Sequence, residues 1–330
     1  MSGLRRRLRM SALLLTVTAL LAAGCGESSE SGTTATAGGP EVTTIKVGML
    51  PLPEVAPIQI GIDKGFFKAE GLTVSIETVQ GGGVAMSDLL SEKLNVLHSN
   101  YVSALLAAAS GTSKIKVIGE AYAAKPGNFM LMVKKGSPLT KISDLKGKKV
   151  GVNTLKNIAT LSVSALLKTN GLTPEDVEWV EHPFPEMAGA LEAGQFDAAF
   201  MPEPFHQVAA SKNGATALSD MFIGPTADFP IAGYLVTEKF AKDNPKTVAA
   251  FQRGLLKAIE VAISNSAEVD AALGKYTKID KATADLMQLG GFSTSANPTR
   301  LQRVADLMLE FGYIEKKFDV APLIVAEKAQ

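Results

Sequence analysis

The chain is poor in the residues on which several kinds of chemistry depend. Its 330 residues include one cysteine, Cys25, and three histidines, His98, His182 and His206. No histidines stand in a His-x-x-x-His pair and none has a cysteine beside it, which argues against a zinc centre. After Arg9, arginine occurs only at Arg253, Arg300 and Arg303. Nucleic-acid binders carry a basic stripe, and here formal net charge is zero with 20% charged residues. Gly-x-Ser-x-Gly and Gly-x-x-x-x-Gly-Lys are both missing, so a hydrolase elbow and a phosphate loop have no sequence support. Beyond the N-terminus no apolar run reaches the roughly 20 residues of a membrane-spanning helix. The 46% hydrophobic content is that of an ordinary globular protein.

What is present begins with a leader. Arg5, Arg6, Arg7 and Arg9 precede an apolar run from Met10 to Ala23, the arrangement of a signal peptide. Leu21-Ala22-Ala23-Gly24-Cys25 resembles a bacterial lipobox, in which cleavage precedes the cysteine and its thiol takes a lipid. An acylated Cys25 leaves the mature chain without a thiol, which excludes disulfides, thiolate catalysis and cysteine metal sites. The Ser, Thr, Gly and Ala of Gly26 to Pro40 read as a tether. The expected organisation is a signal peptide over 1–24, an anchor and linker over 25–43, and two lobes beyond.

From Thr44 strands and helices alternate. Strands are predicted at Thr44–Leu50, Leu72–Val79, Leu94–His98 and Ile115–Tyr122, with helices between them. A second series has strands at Phe129–Lys134, Lys149–Asn153, Val177–Glu181 and Phe196–Met201. Ile231–Thr237 reads as one more strand, and all that follows as helical, starting with Pro245–Ser264. Such alternation implies mainly parallel pairing and an α/β fold. A helical tail completes no sheet, so it must pack on a lobe already formed. The first lobe is therefore expected from 44–125 and 238–330, the second from 126–237, with a ligand cleft between them.

Four stretches carry a resemblance. Gly65-Phe66-Phe67-Lys68-Ala69-Glu70-Gly71-Leu72, Asp144-Leu145-Lys146-Gly147-Lys148-Lys149-Val150-Gly151, Gly194-Gln195-Phe196-Asp197-Ala198-Ala199 and Glu203-Pro204-Phe205 occur in this order. They resemble the substrate-binding proteins of the sulfonate, taurine and nitrate group and of the thiamine-pyrimidine-precursor, NMT1/THI5-like group. The resemblance implies a periplasmic-binding-protein type II fold and a monomer, lipid-anchored outside the cytoplasmic membrane, that delivers a small molecule to an ABC permease and ATPase. It implies no enzyme and no cofactor. A relative in the group is a pyrimidine synthase, but its cysteine-rich element is missing here. The tryptophan that often precedes Glu-Pro-Phe is also absent, Phe200 and Pro202 lying there instead.

Candidate ligand-binding residues lie in the loops after strands. Pro53 and Glu54 follow the first, and Gly82 and Gly83 allow close backbone approach. Ser99, Asn100 and Tyr101 begin one helix, Thr154, Asn157 and Thr160 another; at both, capping is the competing role. Phe129 and Phe205 offer flat apolar contact, Glu203 a carboxylate acceptor, with a structural role at its helix start as the competing reading, and Asp228 a further loop carboxylate. With no arginine near these loops, a neutral or amine-bearing nitrogen heterocycle is expected over an anion. A sulfonate, taurine or nitrate ligand stays open as the alternative, as do a ligand-presenting sensor lipoprotein and a heterocycle-processing enzyme.

Overall fold

A computed structural model describes residues 38–111 and 113–326. The signal peptide, Cys25 and most of the tether lie outside them. The strands are β1 Thr44–Met49, β2 Thr73–Thr78, β3 Val96–Asn100, β4 Ile115–Ala123, β5 Phe129–Val133, β6 Lys149–Val152, β7 Glu178–Glu181, β8 Ala198–Pro202, β9 Thr216–Asp220, β10 Pro230–Thr237 and β11 Gly291–Phe292. The helices are α1 Ala56–Asp63, α2 Phe66–Ala69, α3 Gly82–Leu90, α4 Tyr101–Ala109, α5 Ile158–Thr169, α6 Phe184–Glu192, α7 Phe205–Asn213, α8 Glu238–Asp243, α9 Pro245–Ser264, α10 Ser266–Tyr276, α11 Lys281–Leu286 and α12 Pro298–Glu310. Among the described residues no helix is long and apolar enough to cross a membrane.

These strands form two sheets, ordered β11-β4-β10-β3-β1-β2 and β7-β6-β8-β5-β9. Each is mixed, which corrects the expectation of mainly parallel pairing. The parallel pairs are β1 with β2 and β3, and β6 with β7 and β8. β10 runs antiparallel between β3 and β4, and β5 antiparallel between β8 and β9. β10 therefore belongs to the first sheet, although Pro230–Thr237 was expected in the second lobe. It is buried along its whole length, so its apolar run fits the centre of either sheet equally well. β9 escaped prediction because its Thr-Ala-Leu-Ser-Asp sequence, exposed or half-buried throughout, carries no alternation. β11, of two residues, is too short to leave a pattern.

Local chemistry sets several boundaries. Gly65, whose φ of 70° is the left-handed region that favours glycine, separates α1 from α2. Glu41, placed by the sequence in the linker, instead caps α9: its carboxylate accepts the backbone N–H groups of Lys246 and Thr247 at 3.1 and 2.8 Å. A negative group is favoured at that helix end. α9 lies under the first sheet, where Phe251 stacks on Phe67 with ring centres 5.2 Å apart.

The chain crosses between the sheets after β4 and again before β10. These crossings are tied by Ala124 N–H donating to Phe229 O at 2.8 Å. The tail then clamps them. Arg303 Nη2 donates to the carbonyls of Pro225 and Ala227 at 3.2 and 3.0 Å, and Arg300 Nη1 lies 3.0 Å from the buried Glu120 carboxylate. Arg253 pairs with Glu70 at 2.7 Å. All three described arginines are thus committed to structure.

Candidate ligand-binding site

Between the two sheets lies a cavity lined by Leu50, Leu52, Glu54, Gly81, Gly82, His98, Asn100 and Ile231 from one side. Phe129, Asn153, Asn157, Ile158, Phe184, Phe200 and Pro202 line it from the other. The space open to the centre of a water molecule is about 40 Å³, room for little more than water. A larger solute needs more room than this conformation offers.

The polar groups come from chain segments at strand ends. β1 runs into a single turn, Pro53–Val55, that buries Glu54. Asn100 ends β3 and caps α4, its Oδ1 accepting Ser103 N–H at 3.0 Å. Asn157 caps α5, its Oδ1 accepting Ile158 N–H at 2.7 Å. That same oxygen accepts Ser103 Oγ–H at 3.2 Å, a hydrogen bond from the first lobe to the second. Both helix N-termini facing the cavity are therefore partly satisfied by their own caps.

Glu54 and His98 form the titratable part of the site. Glu54 is 5% exposed and His98 1%, with Oε1 and Nε2 3.2 Å apart. Burial pushes the Glu54 carboxyl up to about 8 and the His98 imidazole down to about 3. The charged form of each is disfavoured where water is excluded. Both therefore stand neutral near pH 7. Opposite them is an aromatic wall: Phe129 stacks on Phe200 at 5.9 Å, and Phe184 on Phe205 at 5.4 Å.

Of the residues expected at the site, the structure brings Glu54, Gly82, Asn100, Phe129 and Asn157 to the cavity. Pro53 is buried beside it. Ser99 packs behind Gly82, where a Cβ would lie 2.7 Å from its own. Gly83 is exposed. The Tyr101 ring is buried against Gly233 in the core. Thr154 accepts from the Asn153 amide at 3.3 Å, and it is Asn153 that lines the wall. Thr160 bonds Asn157 N–H at 2.9 Å and the Tyr313 hydroxyl at 2.6 Å, so it braces the cap. Phe205 supports Phe184 from behind. Asp228 is exposed and pairs with Lys125 at 3.2 Å.

Glu203, expected to accept from the ligand, does not line the cavity. Its Oε1 accepts Gln288 N–H at 2.7 Å and lies 3.2 Å from His206 Nε2. It fastens the tail to the second lobe, and a carboxylate buried so deeply needs such partners. His98, Asn153, Phe184, Phe200 and Pro202 were missed. A signal existed for three of them: Asn153 directly follows β6, Pro202 ends β8, and His98 is a lone histidine in a buried strand. Among the described residues no group of three or more His, Cys, Asp or Glu is placed to hold a metal.

Two mixed α/β sheets closing on a cavity between them define a two-lobed binding-protein fold of the periplasmic type. The chain belongs to the NMT1/THI5-like family, whose model matches residues 52–289. It is 27% identical over 203 residues to the taurine-binding periplasmic protein of Escherichia coli, covering 62% of each chain. It is 24% identical over 238 residues to the nitrate/nitrite binding protein NrtA of Nostoc, covering 66% of this chain and 53% of that protein. It is also 24% identical over 237 residues to the yeast 4-amino-5-hydroxymethyl-2-methylpyrimidine phosphate synthase THI13, covering 67% of each. The match thus spans less than two thirds of the length of the first two. Among solved structures, the alkanesulfonate-binding protein SsuA of Xanthomonas axonopodis pv. citri, bound to MOPS, superposes with a TM-score of 0.72 at 16% identity, covering 86% of this chain and 99% of that one. The periplasmic nitrate-binding protein NrtA of Synechocystis does so with 0.73 at 15%, covering 87% of each. Relatives named as binding proteins thus stand beside one named as a synthase.

Proposed function

We propose that the protein is the extracytoplasmic solute-binding component of an ABC importer, held to the membrane through Cys25, and that it captures an uncharged or amine-bearing nitrogen heterocycle without transforming it. The cavity lining carries this reading. It combines flat phenylalanine walls with Asn100, Asn153, Asn157, Glu54 and His98, and includes neither lysine nor arginine. A sulfonate or nitrate is commonly held by the arginine fork, and the described arginines are engaged elsewhere. Lys156, the cation nearest in sequence to the α5 cap, is exposed and absent from the lining. The family relatives support the importer role, with a permease and ATPase as partners.

Thermal-shift screening tests the ligand class, since a solute that binds only the folded state raises its melting temperature. Aminopyrimidines are expected to raise it, and sulfonates, taurine and nitrate to leave it unchanged. The opposite pattern, confirmed by titration calorimetry, replaces the heterocycle by an anion.

A further inference from the structure

We propose that Glu54 and His98 are the ligand-reading pair of this cavity, selecting a flat heterocycle that offers a ring-nitrogen acceptor beside an N–H donor. The inference rests on the cavity being the solute site and adds which side chains choose the solute.

Both side chains line the cavity and both are more than nine-tenths buried. Their 3.2 Å approach does not satisfy the histidine: neither Nδ1 nor Nε2 has a hydrogen-bond partner among the described residues. Buried polar atoms are nearly always bonded, so unspent capacity facing an interior space points to a ligand that spends it. The groups around the pair are uncharged. From β10 the Tyr234 ring meets His98 edge-on at 5.6 Å, and its hydroxyl is likewise unpartnered. From β4 comes Tyr122, whose hydroxyl accepts Gly290 N–H; from α10 comes Tyr276, whose hydroxyl donates to Leu52 O at 2.9 Å. The opposite lobe contributes phenylalanines and the Asn153 and Asn157 amides. Nothing cationic opposes the burial that holds Glu54 up at about 8. At neutral pH its carboxyl is therefore an acid, with an O–H to give and a carbonyl to accept. The complementary edge is a ring nitrogen next to an N–H, and the phenylalanine faces suit a flat ring.

Calorimetry on the full mature chain with 4-aminopyrimidine, and with pyrimidine as the probe lacking the amine, tests this from pH 7 to 9.5. Expected is 4-aminopyrimidine binding at least tenfold tighter than pyrimidine. Its affinity should be constant to about pH 8 and then fall, approaching tenfold per unit as Glu54 ionises. Glu54→Leu removes donor and acceptor together and should weaken binding about 10- to 100-fold at pH 7. Glu54→Gln keeps one of each, so it should weaken binding only about threefold and abolish the alkaline fall. Circular dichroism establishes that each variant is folded. The pairing is overturned if Glu54→Leu binds like wild type, if the alkaline fall persists in Glu54→Gln, or if wild type does not bind 4-aminopyrimidine. The solute-site reading fails separately, if solutes that raise the melting temperature of wild type raise that of the cavity-filling Asn157→Trp equally.

Discussion

Ser103 Oγ donates to Asn157 Oδ1 at 3.2 Å, so the first turn of α4 in one lobe is hydrogen-bonded to the cap of α5 in the other. The bond is buried beside the cavity wall that Asn157 lines, and it exists only when the lobes are together. A hydrogen bond of this kind contributes about 1 kcal/mol, or roughly a fivefold bias toward the closed form. Ser103→Ala should enlarge the radius of gyration of the ligand-free protein in small-angle scattering and weaken solute binding several-fold. Asn157→Ala should do both and also cost about 1 kcal/mol of stability, because α5 loses its cap. Identical scattering profiles for wild type and Ser103→Ala would mean that this bond does not govern closure.

The Glu54–His98 pair sets a pH dependence of stability whose two limbs oppose. Glu54 titrates at about 8 in the fold against an ordinary 4.5. Between those values the folded state keeps a proton that the unfolded chain releases, so stability falls as pH rises. His98 titrates at about 3 against 6.5. Between those values the unfolded chain gains a proton that the folded one refuses, so stability falls as pH drops. The slopes offset one another from 4.5 to 6.5 and act alone outside it. Urea midpoints measured from pH 3.5 to 9 should show the decline above pH 6.5 in wild type and a flatter curve in Glu54→Gln. Parallel curves for the two proteins would remove Glu54 as the cause.

Apart from β9 and β11, the order of strands and helices was legible because these elements have the length and period of their kind, with glycine, proline or asparagine at many of their ends. Partnership between strands was not. β10 is apolar along its whole length, and such a strand does not reveal which sheet it enters. At the site, Asn100 and Asn157 were legible because capping residues after a strand must lie at a strand-end cleft. Glu203 was misplaced for a related reason: sequence puts it at a strand end, but only the folded tail shows that Gln288 reaches it first. His98 was visible as a residue, yet nothing local announces that Glu54, 44 positions earlier in the numbering, packs against it.

The tail fastening offers a separate test. Glu203 is 2% exposed, accepts Gln288 N–H at 2.7 Å, and has His206 Nε2 3.2 Å away. Glu203→Ala removes the acceptor of the Gln288 N–H and empties a buried site, and should cost about 2–3 kcal/mol in urea unfolding. Solute affinity should change much less, since the side chain does not line the cavity. A variant that keeps wild-type stability but loses binding would return Glu203 to the site.

The proposed anchor predicts a simple fractionation. Cys25→Ser should block metabolic lipid labelling and move the protein from the membrane fraction to the soluble extracytoplasmic one. Unchanged membrane retention would remove Cys25 as the anchor.

Gly82 gives the most stringent steric prediction. It opens α3 at the cavity edge, and a Cβ there would sit 2.9 Å from Ser99 Cα. Backbone cannot yield as a flexible side-chain tip does, so Gly82→Ala must push the start of α3 away from β3. That shift displaces the Gly81–Gly82 edge of the cavity while leaving the core under the sheet in place. Solute binding should fall at least tenfold with a destabilisation of about 1–3 kcal/mol, the range of overpacked sites. At Gly83 the same added Cβ would meet Ser103 Oγ at 3.4 Å, ordinary contact on an exposed helix face. Gly83→Ala should therefore fold and bind like wild type, or slightly stabilise α3 by about 0.5–1 kcal/mol through its higher helix propensity. Equal binding by the two alanine variants in calorimetry would show that close packing of α3 on β3 is not what shapes the cavity.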